Sequence, residues 1–536
     1  LLPTHRAIRA LQEAFLRLVP ETALSGGSVN KALALPRMDA IGGLDSDEMA
    51  LLEPTGLGVG LNQLSASQSL DKQQRIFLLT RLVLAAGKTL APRPERPDLG
   101  LSFQQALRLA LGLGQLLDQA ETEGISLSKI SELEVQTELA HHWQDSKHFL
   151  EILSLVWPQI LEDRGLVSEA EKRRQLMEKQ EAIWLANPPT DPIIVAGSTG
   201  SIPSTRRLLQ TIAMLPTGIL ILPGLDKHMD EAIWDMVSEE PSHPQYNLKQ
   251  TIDACEATRA EIDYLPGSEP DGERQHLLSH AMLPASATEN WRSLVPGSLD
   301  KSLENVTLIS TKNAQEEALH VAVLMRKSLE TPEKTTVLIT PDRLLARRVV
   351  IEMRRWGVEV DDSAGLPLKN TTTGLLFRQT AQCLVEQLSP ATLLAVLKHP
   401  YALIHSVREK NKRLLYQFEK ALLRGEKPAT GVTGLRQHFE AKNQKFDTDL
   451  NEFSEDLLQS FEGFLALSEG AHPFATFLQA HLTLLATLDK ENTLWQAHNG
   501  GEELSAFLEK LSLALLAEGE SFEPISAEAY ADSLEA

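Results

Sequence analysis

Two cysteines, Cys255 and Cys383, are all that 536 residues contain. They cannot build a disulfide framework, a four-thiolate zinc site or an iron–sulfur cluster, which draws on about four thiolates. Long apolar runs are missing as well. No stretch reaches the roughly eighteen apolar residues that read as a membrane span. The opening LLPTHRAIRA also lacks the charged-then-apolar layout of a signal peptide. The expected location is therefore the cytosol, with no membrane partner. Excess positive charge is absent too: the net charge is -22 at neutral pH. Any contact with a phosphate backbone has to come from local basic surfaces or from a basic partner.

What is present is ordinary globular material. Apolar residues make up 42% and charged residues 23%, although aromatics reach only 5%. The length exceeds what one hydrophobic core fills, which predicts about three to five folding units. Leu1-Leu2-Pro3-Thr4 reads as the end of a strand running into a helix with Ile8, Leu11, Phe15 and Leu18 on one face. A strand of two residues implies coding sequence upstream. SAEAYADSLEA stops without a Gly or Pro signal, which implies more downstream.

Pro- and Gly-rich breaks at 91–97 (APRPERP), 187–192 (NPPTDP) and 266–272 (PGSEPDG) divide the chain. Residues 101–186 carry helical spacing throughout. Ile193 to Ala196, the turn GSTGS, a helix from Pro203 and Ile219 to Leu222 then make a βαβ unit. Val306 to Ile309, a helix through Glu316, Leu319 and Val323, and Val337 to Ile339 make a second. All four apolar runs are expected as buried strands of parallel sheets. Thr340 is placed to cap the next helix, with Pro341 at its first position and Asp342 beside its positive end. From about 376 onward the pattern is helical again.

Several tempting motifs fail on spacing. Gly87-Lys88-Thr89 resembles the end of a P-loop, but Leu82 occupies the required earlier glycine position and the tripeptide closes a helix, so Gly87 reads as a C-cap. GSTGSIPS sits where an α/β sheet places a ligand loop, and Ser198, Thr199 and Ser201 offer hydroxyls to a phosphate; a plain tight turn fits it equally. Ile202 stands where a P-loop needs glycine, and no lysine follows. Pro341-Asp342 lacks the later acid and lysine of a metal nuclease, and Asp361-Asp362 reads as a loop pair. His276 and His280 are four apart, but no Glu follows His276. Basic residues crowd Arg343, Arg347, Arg348, Arg354 and Arg355. Between Lys398 and Lys427 eight Lys or Arg face three Glu, with Tyr401, Tyr416 and Phe418 interleaved. Such mixtures suit single-strand binding or a solvated helix face.

Six strings together resemble the B subunits of bacterial AddAB-type helicase–nucleases, AddB, in their alphaproteobacterial form. They are LLPTHRAIRALQEAFL, IIVAGSTGSIPSTRRLLQTIAMLPTGILILPGLD, HPQYNLK, LLSHAMLPASATENW, TPDRLLARRVVIEMRRWGVEVDDSAGLPL and LLAVLKHP. The resemblance implies resection of DNA ends in double-strand break repair and homologous recombination, with an AddA-type helicase–nuclease subunit as partner. It implies an α/β fold of two P-loop-NTPase or RecA-like parallel-sheet lobes of superfamily 1 helicase type, with large helical insertions. The expected blocks are 1–100 (partial lobe 1A), 101–190 (a 1B-like helical insertion), 191–298 (lobe 1 continued), 299–375 (the start of lobe 2A) and 376–536 (a 2B-like insertion).

This sequence departs from a working helicase in having no acidic box at a strand end and no lysine-bearing phosphate loop. No catalytic residue, metal ligand or cofactor site is assigned to it, and ATP and magnesium enter only for the whole complex by resemblance. The expectation is a DNA-tracking subunit that hydrolyses no ATP. Its contacts with single- and double-stranded DNA ends would run through Thr4, Arg6, Ser198, Thr199, Ser201, Thr340 and Arg343. Alternatives are an ATP-driven motor whose P-loop lies upstream, and a nucleotide-sugar enzyme on two Rossmann-like lobes.

Overall fold

The computed structural model describes the chain apart from residues 18–34, 42–67, 90–100, 127–128, 130–149, 151–153, 269–271, 296, 298, 333, 403–407, 443–447, 490–491, 499, 519–521 and 536. The break at 91–97 and part of 101–186 therefore lie outside the described residues.

Helices dominate what is described. α1 (His5–Arg17) is followed by β1 (Gln68–Ser69), α2 (Lys72–Thr89) and α3 (Phe103–Glu123). Ser102 and Gln105 close a reciprocal capping box that starts α3, and Gly124, in the left-handed region at φ 66, ends it. Leu79, Leu82 and Val83 of α2 share a buried cluster with Ala106, Ala110 and Leu113 of α3, where the small alanines admit close approach. A helical stretch over 154–163, β2 (Leu166–Val167) and α4 (Glu169–Ala186) complete this part. The C-terminal helices run from α11 (Thr372–Val385) and α12 (Pro390–Leu397) through α13 (Arg408–Phe418), α14 (Gly431–Glu440), α15 (Thr448–Leu465), α16 (Phe474–Leu488) and α17 (Gly501–Glu518) to α18 (Ala527–Ser533). Their apolar faces form one core that also takes in Phe77 of α2 and Phe103 and Leu107 of α3. Helices some 300 to 400 residues apart in sequence are thereby one packed body.

An ion cluster pins that body. The Glu518 side chain is only 2% exposed. It receives both terminal nitrogens of Arg164, Arg81 Nη1 at 3.3 Å and Gln74 Nε2 at 3.5 Å. Arg75 of α2 reaches across to Asp118 and to the Gly114 carbonyl of α3.

A second buried device is polar but uncharged. His481 of α16 is fully enclosed, its Nε2 at 2.5 Å from Thr380 Oγ1 and its Nδ1 at 2.9 Å from Tyr530 Oη. Phe377 and Phe464 both stack on its ring, with centroids 4.3 and 4.9 Å away. Burial holds the imidazole pKa down at about 3, so it is neutral at physiological pH.

The sheet content is small and parallel. β3 (Ile193–Ala196) pairs with β4 (Gly218–Ile221) across α5 (Pro203–Met214), in the register Ile193 to Gly218 through Ala196 to Ile221. Leu1 and Leu2 lie on the other side of β3. Leu1 N donates to Ile194 O at 2.6 Å and Ala196 N to Leu1 O at 3.0 Å, the pattern of a parallel ladder. Leu2 in turn bridges Ala40 in parallel. The reading of Leu1-Leu2 as a strand end leading into a helix matches this arrangement, although only Ile8 of the expected α1 face is buried and Leu18 lies outside the described residues. β1 and β2 make a separate two-residue parallel pair.

The expectation of two RecA-like parallel-sheet lobes is overturned. Among the described residues the named strands are two or four residues long and form two two-stranded sheets. The first βαβ unit forms, but its strands are only partly covered, with Ile194 and Ile219 exposed. The second does not form. Among the described residues, 306–309 and 337–339 carry no regular structure and pair in no ladder, and Leu308 and Ile339 are 96% and 90% exposed. The burial goes instead into a helix pair, α9 (Ala314–Ser328) on α10 (Arg343–Arg354), through Ala318, Ala322 and Met325 against Leu345, Val349 and Met353. An apolar run is equally compatible with a buried strand and with a short exposed segment, and only a neighbouring strand decides between them. Among the described residues no helix is long and apolar enough to cross a membrane.

Two outcomes follow. Replacing both Arg81 and Arg164 by alanine leaves the Glu518 carboxylate buried without a cation, which should cost about 3–5 kcal/mol in urea unfolding. Glu518→Gln, which removes the charge and leaves the arginines partly in water, should cost less. The His481 pKa lies far below its unfolded value of about 6.5, so the unfolded chain takes up the proton first as pH falls. Its contribution is complete above pH 6.5 and is lost by about 1.4 kcal/mol per pH unit on the way down to about 3. His481→Gln should flatten the acid limb of stability measured between pH 7 and 4.5.

Candidate nucleic-acid interface

The carboxyl ends of the parallel strands gather the segments singled out in the sequence. Thr4 Oγ1 accepts the Ala7 amide at 3.1 Å and opens α1. Pro3 lies against Gly197, where an added Cβ would stand 3.5 Å from Pro3 Cδ. The LLPT segment and the GSTGS turn are therefore neighbours. Within the turn Ser198 Oγ accepts the Gly200 amide at 3.3 Å, Thr251 Oγ1 donates to the Thr199 carbonyl at 2.9 Å, and Arg206 Nε donates to the Gly200 carbonyl at 3.1 Å. The backbone of the turn is held on three sides, and Ser201 faces solvent. α5 begins with Pro203, and its N-cap, Ile202, supplies no side-chain acceptor. Pro203 brings no amide of its own, and the next two residues, Ser204 and Thr205, are buried.

The two arginines meet in one place. Arg6 binds the Asp361 carboxylate. Arg343 forks onto Asp362 at 3.0 and 2.7 Å and donates to the Gly365 carbonyl at 3.0 Å. The Arg343 hydrogen bonds hold the Asp362 carboxyl below its usual range and raise the arginine's own pKa. The four groups sum to zero charge. Asp361 and Asp362, read from the sequence as a plain loop pair, are thus the counter-ions of the candidate site. The adjacent acids in GVEVDDSAG were the visible signal, but their partners were not.

The start of α10 differs from the expected one. Asp342, not Thr340, is its N-cap, accepting the amides of Leu344 at 2.7 Å and Leu345 at 3.2 Å, while Thr340 Oγ1 accepts the Asp342 amide at 3.0 Å. A carboxylate at a positive helix end outcompetes a hydroxyl, and Pro341 falls before the helix instead of within it.

The remaining motifs carry no assembled chemistry. α2 continues to Thr89, so Gly87 lies inside the helix and is not its C-cap, and Lys88-Thr89 belongs to a helix end and not to a phosphate loop. His276 and His280 pack edge to face at 4.2 Å, and His280 Nδ1 sits 2.9 Å from the His276 carbonyl. Among the described residues no group of three or more His, Cys, Asp or Glu is disposed to hold a metal. Cys383 is buried, which pushes its thiol up to about 12 and leaves it inert at neutral pH. Arg355 is paired with Glu352, and Lys398 and Arg424 share Glu419, so part of the two basic stretches is already neutralised. Tyr416 is exposed.

Comparison of the chain with protein-family models and with curated proteins gives no match.

The turn geometry is directly testable at Gly200, which sits at φ 66 and where a Cβ would fall 2.2 Å from Thr251 Oγ1. Gly200→Ala should lose about 1–2 kcal/mol to the left-handed backbone alone, with the displaced threonine adding to it. Combining it with Thr251→Ala should recover the steric part and leave the backbone part, as read by paired urea unfolding curves.

Proposed function

We propose that this chain is a DNA-contacting subunit of an AddAB-type end-processing complex, and that it guides the phosphate backbone of a single strand without hydrolysing ATP itself. The single observation that carries the reading is the convergence of Arg6 and Arg343, far apart in sequence, on one carboxylate pair. The Arg6 segment also borders the Ser- and Thr-bearing turn after β3 through Pro3 and Gly197. Guanidinium groups bind phosphate as they bind carboxylate, by parallel N–H donors. A strand laid across this edge exchanges Asp361 and Asp362 for two of its phosphates, while Thr4, Ser198, Thr199 and Ser201 offer further donors.

This mechanism is independent of any helicase-type sheet lobes. It also explains why an acidic chain would need company: the net charge of -22 opposes the strand at long range, and the two aspartates compete at short range. Binding by the chain alone is expected to be weak and steeply salt-dependent, and stronger with an AddA-type partner, at single- and double-stranded ends alike. Because the contacts reach phosphates and not base edges, they read no sequence.

Fluorescence anisotropy with labelled single strands across a salt series tests the reading. Arg343→Ala should weaken binding of all sequences alike and reduce the log–log salt slope by about 0.7. Asp362→Asn, which frees the guanidinium, should tighten it. Unchanged affinity and slope for Arg343→Ala and Arg6→Ala, with and without partner, would return both arginines to plain surface ion pairs.

A further inference from the structure

Away from the sheet edge, the helical body contains an apolar cleft of about 390 Å³. Phe77 of α2, Phe103 of α3, Phe377 of α11, Phe474 of α16 and Phe507 and Leu511 of α17 line it. A cleft of this size walled by five phenyl rings falls within the size range of small-molecule sites. The charged part of the lining is Lys369 and Arg378, which touch each other: Arg378 Nη1 donates to the Lys369 carbonyl at 3.0 Å. Both already contact Glu535: Arg378 binds its carboxylate, and Lys369 Nζ donates to its uncharged backbone carbonyl at 2.7 Å. The Glu535 side chain is 46% exposed, so water can replace what it gives up.

We propose that this cleft binds a free fatty acid, its alkyl chain among the phenylalanines and its carboxylate on Arg378 and Lys369 in place of Glu535. Charge complementarity chooses the head group. Exchanging one carboxylate for another keeps Arg378 paired and gives Lys369 a charged partner in place of a backbone carbonyl, whereas a cationic head meets both and is repelled, and a neutral head cannot displace the Glu535 carboxylate. The apolar walls choose the tail, since each methylene withdrawn from water strengthens binding roughly fourfold. No part of this rests on the DNA reading.

The test is isothermal titration of the 536-residue chain with octanoate, decanoate and dodecanoate below their micelle concentrations, with dodecanol and dodecyltrimethylammonium as head-group controls. Binding of one dodecanoate per chain is expected, at least tenfold tighter than decanoate, with both controls far weaker. Arg378→Ala should weaken dodecanoate about tenfold while keeping the chain-length dependence. Glu535→Gln, a surface change that leaves the core untouched, should tighten it by removing the internal competitor. Leu534→Trp, at the cleft wall, should block long chains while circular dichroism stays unchanged. The proposal is overturned by absence of saturable dodecanoate binding, by equal binding of all three head groups, or by affinity indifferent to Arg378→Ala and Glu535→Gln together.

Discussion

A carboxylate withdrawn from water must be met by cations, and Glu518 imposes that condition on the whole helical body. It lies at the C-terminal end of α17, and its partners come from α2 and from the turn before β2. The contact is satisfied only when helices from opposite ends of the described chain are in register. The hydrophobic core around Phe77, Phe103 and the C-terminal helices supplies the driving force for that association, which is non-directional. The ion cluster supplies direction, because a slip of one turn would leave a charge buried and alone.

His481 does the same locally without charge. Its two nitrogens face two hydroxyls, and two phenylalanines stack on its ring, so α11, α15, α16 and α18 meet at one side chain. α4 packs against both α3 and α5 and so joins this body to the small sheet beside it. At the strand ends the GSTGS turn is tied to Thr251 of α7 (Tyr246–Ala254) and not left to solvent.

At that edge the electrostatics are balanced. Arg6 and Arg343 are each neutralised by an aspartate of one loop, Asp361 and Asp362. The two ion pairs add nothing to the chain's net charge of -22.

Periodicity is a local property, and it was legible, whereas the two caps read from sequence, Gly87 and Thr340, were not where the helices end and begin. The helix from Phe103, the strand–turn–helix–strand from Ile193 to Leu222 and the strand end at Leu1-Leu2 could all be read from neighbouring residues alone. So could the failure of GKT as a phosphate loop, since a missing glycine is visible in sequence. The cap of α10 was misplaced by two residues because Thr340 and Asp342 are both competent, and geometry chose the stronger acceptor. The runs at 306–309 and 337–339 were misread for a different reason: burying an apolar segment takes a neighbour, and α9 and α10 bury each other instead. Arg6 with Asp361, Arg343 with Asp362, and Glu518 with Arg81 and Arg164 had no local signal, the first and last of these spanning hundreds of residues. What the sequence determined by itself was which segments could be helix or strand, because that depends on a few adjacent side chains. Which segments met, which charges cancelled and where a cleft stayed open were decided only by the tertiary structure, because those outcomes depend on long-range packing.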